Sequence, residues 1–313
     1  MKPVTLSISL AAVFLLAGAA SATLVTDYME YGDTSALLET LTTADTTGWA
    51  GDGWTGSSSS VRYNISETTS GGLLLATNIP YVATGYVSNF AGGVAVGMDT
   101  PPSLVRRELS TPSSGTVWAS FVAKFTYWTG LNFIQRVQIG VNGFTATSFG
   151  LASGLPGAAN TTLRPLVITN GVVATANAAQ LPADSNWLVV AKLETDVSGT
   201  TDALTMWLFR RTANLSGQNY DAIVNQAYYT FTAAQDDYWG SAITNLALIM
   251  HSARSPVSAS VDNDRLAYAD SLRVSQGALT DDQHAYEVLT GISIPEPALL
   301  VLAPLALLAL RRR

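Results

Sequence analysis

The sequence predicts an all-β fold, an antiparallel two-sheet β-sandwich built as one domain, and three observations carry that expectation. Short segments with apolar residues at alternate positions recur along the chain, separated by turn-forming residues. Two Asn-Gly pairs, Asn142-Gly143 and Asn170-Gly171, stand between extended runs, as a type I′ hairpin requires, because both central residues of that turn need positive φ. No segment of the body holds a 3.6-residue apolar period, so no helix is expected there.

The elements follow in chain order. Lys2, the apolar run Val4 to Ala17 and the small-x-small triplet Ala20-Ser21-Ala22 form a signal peptide over residues 1–22, so the mature chain begins near Thr23. The body occupies residues 23–290. Its clearest strand is TVWASFVAKFTYW, where Val117, Ala119, Phe121, Ala123 and Phe125 alternate with Trp118, Ser120, Val122 and Lys124. Both faces are apolar, as a central strand requires. Hairpins turn at the two Asn-Gly pairs.

A third hairpin runs from Trp187 to Arg210, near the middle of one sheet. Trp187, Val189, Ala191 and Leu193 fall on one of its faces, and Leu188, Val190, Lys192 and Glu194 on the other. Lys192 and Glu194 would be costly to bury unpaired, so the core lies under the first set. If Trp207 and Phe209 share the face of Lys192 and Glu194, they form an open aromatic platform of sugar size. Later strands are AYYTFTA, NLALIMHS, SASVDNDRLAYA and SLRVS.

The chain closes on residues 291–313. Pro295-Glu296-Pro297 precedes an apolar run from Ala298 to Leu310, and Arg311, Arg312 and Arg313 end it. As a helix that run covers about 20 Å against a hydrocarbon core of roughly 30 Å, a short transmembrane helix whose arginines favour the cytoplasmic side. Order, spacing and terminal position resemble the PEP-CTERM sorting signal of Gram-negative bacteria. The resemblance implies a precursor anchored transiently in the inner membrane, an exosortase-type membrane protease as partner, and delivery to the cell surface or extracellular matrix, often with exopolysaccharide. Pro304 inside the apolar run departs from the pattern, although membranes tolerate it.

Composition narrows the classes. Taking Lys2 and the three terminal arginines from the 16 basic residues leaves 12 against 23 acids, which excludes electrostatic binding of nucleic acid. With no cysteine there is neither disulfide nor thiol chemistry, and stability must come from a core that roughly 270 residues are enough to build. Within that body, WLVVAKLETD and DALTMWLFR are similar to a strand pair of concanavalin A-like, laminin-G-like jelly-roll domains. ASVDNDRLAYADS resembles their late strand, and Gly48-Trp49 with Gly53-Trp54 their opening. The resemblance implies a jelly roll that binds or displays carbohydrate.

Catalytic signals are thin. His251 and His284 are the two histidines, and neither accompanies a Gly-x-Ser-x-Gly elbow. Glu194-Thr195-Asp196 begins like the acid strand of a glycosidase, but Ser198 and Gly199 stand where the second acid belongs, so it reads as a solvated turn. No catalytic residue and no cofactor are assigned. A Ca²⁺ ion would draw on Asp262 and Asp264, which turn formation also explains. Trp49, Trp54, Trp207 and Trp239 are the candidate sugar-stacking residues. The sequence therefore reads as an exported, non-catalytic binding or structural module with polysaccharide as its partner. Alternatives are a glycoside hydrolase or lyase on the same fold, and a self-assembling structural subunit.

Overall fold

The computed structural model of the chain describes residues 23–28, 35–37, 47–51, 53–56, 61–64, 81, 83–87, 94–97, 103–125, 135–153, 163–175, 180–182, 186–195, 201–236, 242–251 and 267–294. These form two antiparallel sheets. The nine-stranded sheet runs β14 (Tyr229–Asp236), β13 (Thr201–Arg210), β12 (Asn186–Glu194), β7 (Thr116–Phe125), β16 (Ala267–Gln276), β5 (Val94–Gly97), β4 (Val61–Asn64), β2 (Ser35–Leu37), with β1 (Thr23–Asp27) also paired to β16. The seven-stranded sheet runs β11 (Val172–Val173), β10 (Leu163–Thr169), β9 (Phe144–Ser153), β8 (Gln135–Val141), β15 (Ile243–His251), β6 (Ser103–Ser113), β3 (Thr55–Gly56).

Alternation sets the main core. Val117, Ala119, Phe121, Ala123 and Phe125 of β7 and Trp187, Val189, Ala191 and Leu193 of β12 point inward from the larger sheet. Val137 and Ile139 of β8, Phe149 and Leu151 of β9, and Leu246, Leu248 and Met250 of β15 meet them from the smaller one. The two Asn-Gly turns behave as expected: Asn142 and Gly143 have φ of 54° and 70°, Asn170 and Gly171 of 49° and 77°, closing the β8–β9 and β10–β11 hairpins.

The hairpin β12–β13 pairs Trp187 with Arg210 and Val190 with Trp207, dividing its faces as predicted. Its place differs: β13 is second and β12 third from one edge, while β7 and β16 hold the middle. The segments SASVDNDRLAYA and SLRVS were expected as separate strands. Their described part is the single strand β16, bent by a bulge at Ser271, whose φ is 54° and whose amide donates to Asp270 Oδ1.

Two helices correct the expectation of none. In α1 (Tyr220–Gln226), Asn219 caps the Ala222 amide. In α2 (Asp281–Thr290), Thr280 and Gln283 close a reciprocal capping box and Asp281 and Asp282 occupy the first turn. Both are too short to show a clear apolar period in sequence, and tertiary contact makes up what propensity lacks. They lie on the outer face of the larger sheet. There Ile223 of α1, Ala285, Val288 and Leu289 of α2, and Tyr81 and Tyr86 pack on Trp118, Leu188, Val190, Trp207 and Phe209 as a second core. No helix among the described residues is long and apolar enough to cross a membrane.

Candidate functional site

The outer face of the seven-stranded sheet combines polar side chains with unmet bonding capacity. On β8, Val137 and Ile139 go to the core, so Arg136 and Gln138 project to the opposite face. Register extends the pattern across neighbouring strands. Gln138 stands between Ile249 of β15 and Gly150 of β9, and Arg136 between His251 and Ala152, beyond which lies Arg164 of β10. Arg106 of β6 shares this face through Ala247. Glu108 is the one acid on this face among the described strands.

Gln138 is 0% exposed. Its Nε2 donates to Ser148 Oγ at 2.8 Å, and its Oε1 accepts nothing. Gly150 leaves the position opposite without a side chain. Two residues along, the half-buried Arg136 keeps an Nε without an acceptor, and burial pushes its guanidinium pKa below the ordinary value. Asn245 Oδ1, on the same face, is also unpartnered. A buried polar group left unmet costs about 1–3 kcal/mol, and these two acceptors and one donor lie on a face whose Ser148, Ala152 and Ala247 are themselves 0% exposed. Beside them Ala152, Leu166, Ile168 and Val173 form a small apolar floor.

The tryptophans expected to stack on sugar are core residues instead. Trp49 and Trp54 are 4% and 2% exposed. The Trp49 indole donates to the Thr26 carbonyl at 3.0 Å, and Trp54 to Asp27 Oδ2 at 2.8 Å. Arg107 completes that knot, paired to Asp27 at 2.7 Å and lying 4.7 Å over the Trp49 ring. Trp207 is 2% exposed, stacked on Trp118 at 5.3 Å and covered edge-on by Tyr220 of α1. The open platform is thus sealed, because α1 and α2 cover the face that alternation left apolar. Trp239, Asp262, Asp264, Ala20, Ala22, Pro295, Glu296, Pro297 and Arg311 to Arg313 lie outside the described residues.

One acid, one base and one hydroxyl do meet, under α2. Ser275 Oγ donates to Glu287 Oε2 at 2.5 Å and lies 2.7 Å from His284 Nδ1. The order is unsuited to nucleophilic catalysis, in which the base stands between the hydroxyl and the acid. All three are 0% exposed. Burial pushes His284 down to about 4 and Glu287 up from its ordinary value. With the serine proton on Glu287, neutral His284 donates from Nδ1, so the cluster is a lock between β16 and α2. Glu194 is bound to Lys192 at 2.9 Å, and Thr195 holds the Gly115 turn. Among the described residues no group of three or more His, Asp or Glu could hold a metal ion.

No protein-family model matches the chain, and no curated protein matches it. Among solved structures it is similar to an alginate lyase double mutant bound to alginate tetrasaccharide, at 9% identity over 83% of this chain and 98% of that one, TM-score 0.39. Lectin II from Ulex europaeus aligns at 10% identity over 61% and 89%, TM-score 0.35. Peanut lectin carrying a short peptide aligns at 11% over 62% and 90%, TM-score 0.32. At these scores the likeness decides neither fold nor function, which rest on the chain's own ladders and side chains.

Proposed function

We propose that this chain is an exported polysaccharide-binding module, a concanavalin A-like β-sandwich without catalytic activity. Residues 1–22 direct export. Residues 291–313 serve as a PEP-CTERM signal read by an exosortase-type protease, which delivers the body to the cell surface or matrix. The observation that carries the non-catalytic reading is the Ser275, His284 and Glu287 group, wholly buried and in an order unsuited to nucleophilic catalysis.

A glycan array with the full chain tests the binding role, and retention of the protein on no arrayed glycan would refute it. Release of reducing ends from any arrayed polysaccharide would mark an enzyme instead. For the sorting role, Glu296→Ala should leave the protein in the inner membrane with its tail intact. Normal yield and size in the medium would refute that role.

A further inference from the structure

We infer that the cleft between the β6–β7 turn and the segment joining β16 to α2 seats a sugar unit of an uncharged glycan; the inference rests on the polysaccharide-binding reading above.

The cleft encloses about 550 Å³, within the roughly 300–1,000 Å³ usual for small-molecule sites. Residues 111–116 form one wall and residues 276–279 the other. Val117 of β7 pairs with Gln276 of β16, so the two walls leave the larger sheet from adjacent strand ends. Both walls are fixed by contacts of their own. Thr195 Oγ1 accepts from the Gly115 amide at 2.5 Å and donates to the Gly115 carbonyl at 3.3 Å, holding the turn where Gly115 takes a φ of 88°. The other wall runs into the Thr280–Gln283 capping box, and Lys192 holds Asp281 just beyond it. A site built before its ligand arrives loses little freedom on binding.

Unlike the outer face of the seven-stranded sheet, this cleft opens to solvent: Thr111, Pro112, Ser114, Gly115 and Ala278 are exposed. Gln276 is its most buried lining residue, 5% exposed, and its Oε1 accepts nothing. Gln138 and Asn245 carry the same unmet atom, but Gln276 alone of the three borders the cleft. The terminal torsion of glutamine is soft, so the carboxamide can turn its acceptor toward a ligand at small cost.

The lining chemistry names the ligand. No residue of 111–116 or 276–279 is charged or aromatic, so the cleft offers an ion no counter-charge and a flat ring no stacking face. Thr111, Ser113, Ser114 and Thr116 bring hydroxyls that donate and accept, and Pro112 and Leu279 bring apolar contact. A sugar ring carries hydroxyls around its rim and C–H groups on its faces, which match both sets. A carboxylate or sulfate entering here would lose water without meeting a cation, which is costly.

Isothermal titration of the full chain with dextran, laminarin and polygalacturonate, at low and at high salt, tests this. Binding of dextran or laminarin, little changed by salt, with polygalacturonate silent, is the expected result. Gln276→Met keeps the volume and removes the acceptor, so it should weaken that binding about tenfold. Ser114→Trp fills the cleft from an exposed turn and should abolish the binding; it is read alone if Gln276→Met fails to fold. Polygalacturonate bound as tightly as a neutral glycan would overturn the uncharged assignment. Undiminished neutral-glycan binding by either folded variant would overturn the cleft as its seat and leave glycan binding standing. Silence of all three probes would overturn the inference, and an array that retains no protein would overturn the binding reading with it.

Discussion

Lys192 on β12 reaches Asp281 in the first turn of α2, Nζ to Oδ2 3.0 Å, while also holding Glu194 at 2.9 Å. This contact joins residues 89 positions apart and pins the helix over the outer face of the larger sheet. Desolvation works against the Lys192 charge, but the bonds to Glu194 and Asp281 outweigh it and hold its pKa above the ordinary value.

Because the pair is partly exposed, its contribution is modest. Asp281→Asn should cost about 1 kcal/mol, combining the lost ion pair with the lost carboxylate at a helix N-terminus. A double-mutant cycle with Lys192→Met, followed by urea unfolding, should return a coupling of about 0.5 kcal/mol. Strict additivity would show that the contact does not fasten α2.

Trp207 separates packing from binding. Trp207→Ala removes an indole stacked between Trp118 and the covering Tyr220, so unfolding should become easier by about 3–5 kcal/mol. The folded fraction should bind glycan with unchanged affinity, since the indole is buried in the second core. Affinity lost in a folded Trp207→Ala protein would return this indole to the binding surface.

His284 makes stability depend on pH. Its folded pKa, about 4, lies below the ordinary 6.5, so the unfolded chain takes up the proton first. Stability attributable to this residue is therefore whole above pH 6.5 and falls as pH drops toward 4, a loss on the order of 3 kcal/mol. Glu287 works the other way: burial raises its pKa, so its cost at neutral pH is relieved as the carboxyl protonates. The two are separated with His284→Asn, which keeps a donor near the Nδ1 position. Between pH 6.5 and 4 the parent protein should lose more stability than this variant. Parallel curves from chemical denaturation at each pH would refute the assignment.

Much of the fold was legible because its signals are local. Positive φ at Asn142-Gly143 and Asn170-Gly171 follows from the two residues themselves, and the face division of β7 and β12 follows from the two-residue period of any strand. The helix α2 had a local signal as well, the Thr280 to Gln283 capping box, but ten residues give no apolar period strong enough to outweigh the surrounding strand pattern. Alternation in the segment Gln135–Val141 likewise put Arg136 and Gln138 on one face, without showing what faces them.

By itself the sequence determined which side chains share a face, where hairpins turn, and that the chain is acidic and free of cysteine. Only the tertiary structure decided which faces are covered. Trp207 and Phe209 lie under α1 and α2, Trp49 and Trp54 bind Asp27 and Thr26 from far along the chain, and Arg136 and Gln138 keep unmet polar atoms on the other sheet. The reason is range: alternation is fixed by adjacent backbone geometry, whereas burial is fixed by partners as far as 186 residues away, whose arrival no local period encodes.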